Sequence, residues 1–165
     1  MMTIATVILA AGLGKRMKSK RVKVLHPIAG QPMILYSVET ARRLPSDKII
    51  VVVAHQADAV KEVLANRPVE IVHQGRPLGT GHAVLQTQSL LAGFIGPVLI
   101  LNGDVPLITV ETLQSMLKIH RDQGADLTLL TATLSHPEGY CRVIRDPDGE
   151  MIAIVGESGS GKSTL

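Results

Sequence analysis

Aromatic residues are almost absent. The 165-residue chain has one Phe, two Tyr and no Trp. Stacking successive bases of a single-stranded nucleic acid on aromatic rings is therefore disfavoured. Any core must be aliphatic, which suits a buried parallel sheet built from Val, Ile and Leu. Cysteine is equally scarce. Cys141 stands alone, which excludes an intramolecular disulfide and fits a reducing compartment. No apolar run reaches the roughly 18 residues that a spanning helix needs. The apolar start has no basic residue ahead of it, and charges follow it instead, the reverse of a secretory leader. The six His and one Cys lack zinc-ligand spacings such as C-x₂-C or H-E-x-x-H. No G-x-S-x-G marks a Ser–His–Asp hydrolase. The expectation is a cytoplasmic enzyme with no membrane and no nucleic-acid partner.

What is present is a rhythm. The length allows one domain with a real core. TIATVIL (3–9), KIIVVV (48–53), VEIV (69–72), PVLIL (97–101) and DLTLLTA (126–132) read as strands. Between them, Ile34, Val38 and Ala41 mark a helix over 33–43, and Leu113, Met116, Leu117 and His120 share one face over 109–122. Residues 56–65 and 80–92 read as further helices. Alternating strands and helices with continuous apolar strands predict an α/β fold, a mainly parallel sheet flanked by helices. After residue 132 the rhythm changes. CRVIR and MIAIV flank DPDG, an Asp-Gly hairpin signal, so the last third carries a β-hairpin.

Three segments could carry chemistry. The first, LAAGLGKRMKSKRVKVLH (9–26), follows the first strand, where ligands bind in open α/β sheets. Small residues let the backbone approach a ligand, backbone amides can face phosphate oxygens, and Lys15, Arg16 and Lys23 can supply charge. The glycines do not match G-x-G-x-x-G, which disfavours a dinucleotide site; a flexible basic turn is the plainer reading. The second, HQGRPLGTGHAV (73–84), offers the Gln74 amide for a base edge and a Gly-rich approach with the Thr80 hydroxyl. An ordinary Gly-rich connection fits equally, and His82 reads as a helix-start or core histidine. The third, VLILNGDVPLI (98–108), ends a strand on Asp104, well placed to hold Mg²⁺. The alternative is an Asp that caps the helix starting near 109.

The end of the chain points elsewhere. Gly156, Gly161, Lys162 and Ser163 satisfy G-x-x-x-x-G-K-[ST]. A working phosphate cradle needs a helix behind it, and Thr164 and Leu165 are far short of the roughly 12–15 residues of a marginally stable one. Residues 156–165 are expected to form a tail outside the domain, a junction that resembles the start of a transporter ATPase and is not itself an ATP site.

V-I-L-A-A-G-x-G-x-R-M, K-V-L-H, L-G-T-G-H-A and N-G-D-V-P-L, in this order, with GYCRVIRDPDGEMIAIV after them, resemble one family. It is the uridylyltransferase half of the bacterial bifunctional N-acetylglucosamine-1-phosphate uridylyltransferase/glucosamine-1-phosphate acetyltransferases (GlmU type). The resemblance covers about residues 3–155 and implies a Rossmann-like nucleotidyltransferase domain over 1–155. It implies that UTP and the sugar 1-phosphate N-acetylglucosamine 1-phosphate give UDP-N-acetylglucosamine and pyrophosphate, with Mg²⁺ as cofactor, in cell-wall precursor synthesis. By position it implies that Leu9, Ala10, Ala11 and Gly12 cradle the nucleotide and that Lys23 binds phosphate, with Arg16 and Lys23 as the catalytic cations. Gln74 would read uracil beside Gly79 and Thr80, Asp104 would hold the metal, and Gly139 and Tyr140 would lie on the sugar side. Val22 stands where the family has proline, Cys141 where it has glycine and Gly156 where it has a sugar-binding glutamate. The family's second metal ligand and its acetyltransferase half are not among these residues. A chain that binds nucleotide without turnover, and a guanylyltransferase-like relative of the same fold, are the alternatives; the latter is expected to carry L-A-G-G in place of L-A-A-G.

Overall fold

The computed structural model describes residues 3–12, 14, 17–19, 21–76, 78–136 and 138–155. Arg16 and the segment 156–165, with Gly156, Gly161, Lys162 and Ser163, lie outside the described residues.

Four parallel strands form the central sheet, in the order β5-β4-β1-β6. They are β1 (Ile4–Ala10), β4 (Ser46–Val53), β5 (Glu70–His73) and β6 (Val98–Asn102). Strands β1 and β4 lie at its centre, paired from Ala5↔Lys48 to Ala10↔Val53, and their apolar runs are buried on both faces. That is the environment a continuous Val/Ile/Leu run predicts. Alternate residues feed two clusters. Ile4, Ile8, Val51, Val53, Leu99 and Leu101 pack on one face with helices α1 (Met33–Arg42), α2 (Ala57–Leu64) and α4 (Val110–Asp122). Val7, Ile50 and Val52 pack on the other with Ala83 of α3 (Thr80–Leu85) and with Leu90 and Leu91.

The helices follow the sequence periodicity where that periodicity is strong. Helix α1 buries Ile34, Val38 and Ala41, the spacing of one face over two turns. Helix α2 buries Ala57, Val60 and Leu64. At the start of α4 the Thr109 hydroxyl accepts from Thr112 N at 3.2 Å, an ordinary N-cap. No helix among the described residues is long and apolar enough to cross a membrane.

Three features depart from the expected elements. DLTLLTA (126–132) is not a strand; no described strand pairs with it, and Leu127 and Leu130 are exposed. An apolar run becomes a strand only when a neighbouring edge takes its backbone hydrogen bonds. The expected helix 80–92 ends at Leu85. The Thr87 hydroxyl donates to the Val84 carbonyl at 2.7 Å, and such local bonds compete with helix continuation. A two-stranded ribbon, β2 (Pro27–Ile28) with β3 (Gln31–Pro32), adds a turn in which Ala29 and Gly30 both have positive φ, as a tight hairpin requires.

The late hairpin forms as expected. Strand β7 (Arg142–Arg145) pairs antiparallel with β8 (Met151–Val155). The Asp146 carboxylate closes its turn by accepting from Asp148 N and Glu150 N at 3.1 and 2.8 Å.

Candidate functional site

Strand order reverses around β1: the chain builds β4 and β5 on one side, then returns to place β6 on the other. Connections leaving the carboxyl ends of these strands diverge there and open a crevice. A cavity of about 340 Å³ occupies it, lined by Leu9, Ala11, Gly12, Lys23, Val24, Gln74, Gly79, Thr80, Ala83, Asn102 and Asp104.

Each wall has a local cause. Gly103 N donates to the Leu9 carbonyl at 2.9 Å, which fastens the end of β6 to the end of β1. A Cβ on Gly103 would lie 2.9 Å from Ile34 Cδ1 and 3.1 Å from Leu9 O. Glycine spares Ile34 and the Leu9 carbonyl the shift that a Cβ would force, and the turn carries Asp104 to the cavity rim. A Cβ on Gly12, by contrast, would meet no atom within 4 Å, so the floor after β1 is open to a ligand.

Lys23 begins a 3₁₀ turn, Lys23–Leu25, anchored by buried Val24 and Leu25. Gly14, at φ +58°, packs so closely that a Cβ there would sit 3.0 Å from Lys23 Cβ. Thus held, the Lys23 ammonium donates to Asp104 Oδ2 and forms an ion pair with it. The two side chains are 35% and 29% exposed, so the pair is partly desolvated yet open to exchange with solvent or ligand. The helix-cap alternative for Asp104 does not hold, because Thr109 caps α4.

Gln74 follows β5 and extends its ladder, its N–H donating to Val53 O at 2.7 Å. Gln74 is buried, with 5% exposure. Nε2 donates to the Gly79 carbonyl at 3.0 Å and lies 3.2 Å from His82 Nδ1. Gly79, at φ 107°, turns the chain into α3; that conformation favours glycine and brings its carbonyl to the Gln74 amide.

The expected site residues are thus brought together in large part. Leu9, Ala11, Gly12, Lys23, Gln74, Gly79, Thr80 and Asp104 share the one cavity. Ala10 ends β1 with 3% exposure and is not among the lining residues. Gly139 and Tyr140 do not line it either, and Tyr140 is 62% exposed. The lining also includes Val24, Ala83 and Asn102, which were not expected as site residues, although Asn102 opens the N-G-D turn. His82 was missed as a partner of Gln74; the short Gly-rich spacing between them was its signal.

Among the described residues the charged lining groups are Lys23 and Asp104, one of each sign. A lone carboxylate with no group of three or more His, Cys, Asp or Glu among the described residues does not make an all-protein metal cage. It does fit Mg²⁺, which takes one or two carboxylates and completes its shell with phosphate and water. The Lys23 ammonium standing on Asp104 shows that this oxygen attracts a cation.

The model of the MobA-like NTP transferase domain matches residues 6–151, and the chain belongs to that family. It is 51% identical over 155 residues to the bifunctional protein GlmU of Geobacter metallireducens, covering 93% of this chain and 33% of that protein. The chain spans about a third of the length of the curated relatives it matches. Among solved structures it resembles a nucleotidyl transferase from Methanothermobacter thermautotroptrophicus, with TM-score 0.59 and 27% identity over 71% of this chain and 57% of that one. A UDP-glucose pyrophosphorylase complexed with UDP-glucose shares the fold, with TM-score 0.62 and 20% identity over 75% of this chain and 55% of that one.

Proposed function

We propose that this family member binds UTP in the cavity and serves a uridylyltransferase that makes UDP-N-acetylglucosamine from UTP and N-acetylglucosamine 1-phosphate, with release of pyrophosphate. One observation carries the reading. Lys23, Gln74 and Asp104 come from three distant segments, and all three line one cavity at the carboxyl ends of parallel strands. Identity of 51% to a protein named GlmU across 93% of the chain supports the choice of reaction.

The chemistry asks little of covalent groups. An oxygen of the sugar phosphate attacks the α-phosphorus of UTP, a new P–O bond forms, and the bond to pyrophosphate breaks. No enzyme nucleophile is needed, and the lining residues among those described include no Ser or Cys. Positioning and electrostatic stabilisation supply the rate. Backbone at Ala11 and Gly12 lies against the phosphates. Lys23 leaves Asp104 and pairs with phosphate oxygen, and Arg16 is assigned as a second cation. Gln74, with Nε2 already engaged, presents Oε1 as the acceptor for the N3–H of uracil. Asp104 is the residue that would hold Mg²⁺, which when bound supplies charge neutralisation on the phosphate chain.

Gly139 and Tyr140 are assigned to the sugar side. Their position away from the cavity favours a second reading, in which the 165 residues bind nucleotide with little turnover. We place the functional unit in residues 1–155, in the cytoplasm, and give the tail at 156–165 no part in the reaction. Pyrophosphate release from UTP and N-acetylglucosamine 1-phosphate, run beside UTP calorimetry, tests both. UTP binding with slow turnover is the expected result. A folded chain that binds no UTP would refute the proposal.

A further inference from the structure

Successive side chains at the end of a strand point to opposite faces, and at the end of β5 those faces hold two different cavities. Gln74 lines the cavity that contains Lys23 and Asp104. His73 lines a separate cavity of about 670 Å³, together with Ala54, Gly75 and residues of α2. The His73 ring grips the backbone on both sides of Gln74. Its Nδ1 accepts from Gly75 N at 2.9 Å, and its Nε2 lies 3.0 Å from the Ala54 carbonyl. A backbone N–H only donates and a carbonyl only accepts. One ring state makes both bonds, the neutral imidazole with its proton on Nε2. The clamp acts where the chain itself is least restrained. Gly75 has φ +70°, and a Cβ there would meet nothing within 4 Å. Glycine's wide conformational range leaves the Gln74–Gly75 peptide to be fixed by its hydrogen bonds.

We propose that His73 is a positioning residue for base recognition: its neutral ring fixes the peptide after Gln74, and with it the origin from which the Gln74 amide reaches the base. The inference rests on the proposed UTP-binding function. The Val53 carbonyl already holds Gln74 N at 2.7 Å, and the ring secures the other side. A proton on Nδ1 turns that acceptor into a donor. It then faces the Gly75 N–H, a second donor, and the bond is lost. The neutral ring is the clamping form, so base recognition weakens as pH falls through the range in which imidazoles titrate. Among the described residues, the titratable groups lining the same cavity are His55, Asp58 and Lys61, and Arg76 follows along the chain. Asp58 and Lys61 pair with each other at 3.4 Å. His55 is a second imidazole, and a variant there separates the two. The Gly75 bond is exposed to solvent, which puts its loss at the lower end of a hydrogen bond's net worth, about two- to fivefold in affinity.

The experiment is calorimetry of UTP and CTP, each with Mg²⁺, at about pH 8 and about pH 6. The proteins are the 165-residue chain, His73→Leu, His73→Asn and His55→Asn. The readout is the UTP-over-CTP preference, a ratio in which titration of the triphosphate itself cancels. From the higher pH to the lower, the wild-type preference should shrink by about two- to fivefold. His73→Leu should show the smaller preference at both. His73→Asn should stay within about twofold of wild type at the higher pH, because its Oδ1 can accept from the N–H two residues on, and should not respond to pH. His55→Asn should follow wild type. A wild-type preference that is independent of pH overturns the assignment, and that result needs no variant to fold. So does a pH response that survives in His73→Asn or vanishes in His55→Asn. So does a His73→Leu protein, folded by circular dichroism, that keeps the wild-type preference, or a His73→Asn protein that loses as much as His73→Leu. Wild type that binds no UTP, or binds UTP and CTP alike at the higher pH, overturns the base-reading role of Gln74 and this inference with it. Wild type that prefers UTP while the His73 variants do not differ from it overturns this inference alone.

Discussion

Asp104→Asn should change UTP affinity in opposite directions in two buffers. In the ligand-free protein Asp104 and Lys23 neutralise each other. A triphosphate arriving without divalent metal must take Lys23 away from that carboxylate and sit beside its negative charge. Two unit charges 4 Å apart interact by about 1 kcal/mol in water and about 4 kcal/mol near a protein surface. Desolvation and side-chain ordering reduce an exposed pair to about 1 kcal/mol or less. With side chains 35% and 29% exposed, the Lys23–Asp104 pair belongs near about 1 kcal/mol on that scale. Asn keeps the shape and an acceptor but gives up the charge. UTP affinity in EDTA should therefore rise about fivefold. In Mg²⁺ the variant lacks a ligand oxygen of the right charge, and its affinity should fall at least about tenfold below wild type.

The assay is calorimetry of UTP at constant ionic strength, once with EDTA and once with Mg²⁺, with circular dichroism to confirm the fold. The fold should persist, because the Lys23 side chain is one-third exposed and its ammonium can be solvated. Weaker binding than wild type in EDTA would show that Asp104 does not compete for Lys23. An unchanged Mg²⁺ dependence would remove Asp104 from the metal role.

Three further outcomes follow from other parts of the molecule. Gly103→Ala should cost about 1–3 kcal/mol, since the new methyl meets Ile34 Cδ1 at 2.9 Å and Leu9 O at 3.1 Å; urea unfolding checks it, and wild-type stability would contradict the close approach. Val22→Pro should stabilise by about 0.4–1 kcal/mol. The backbone there already has φ −53°, and no backbone hydrogen bond among the described residues uses the Val22 N–H; a lowered thermal midpoint would refute it. Lys162→Ala should leave UTP affinity within about twofold, a difference well under 1.4 kcal/mol, whereas loss of UTP binding would make the terminal motif part of the site.

Much of the sheet was legible because burial on both faces leaves a one-dimensional trace. The apolar runs of β1 and β4 are continuous for that reason. DLTLLTA carries the same trace, yet it is no strand, with Leu127, Leu129 and Leu130 at 55%, 40% and 54% exposure. The difference is not in the segment. A strand needs a neighbour to satisfy its backbone, and the identity of that neighbour is a property of the whole sheet. The same reasoning covers residues 86–92. Their apolar Leu90 and Leu91 do pack on the sheet, but they arrive through turns, with both N–H groups donating to the Thr87 carbonyl. The reading of 80–92 as one helix implied a regular backbone, and the chain brings Leu90 and Leu91 to the sheet by another path.

The site poses a sharper version of the problem, because charge density along the chain does not select the functional cation. Lys15, Arg16, Lys18, Lys20, Arg21 and Lys23 crowd one short stretch. Among the described members, Lys18 and Arg21 are exposed and Lys23 alone lines the cavity. What sets Lys23 apart is the pair that follows it. Val24 and Leu25 are 4% and 8% exposed, and they draw the 3₁₀ turn into the core next to β1. Lys18 has no such anchor beside it. An ammonium on a buried backbone has a fixed origin and a short reach, so it can meet a carboxylate 81 residues away. An ammonium on a solvated loop loses more side-chain freedom in making the same contact. The readable signal for a phosphate-binding lysine in this loop is therefore an adjacent apolar anchor, as in K-V-L, and not the number of basic residues around it.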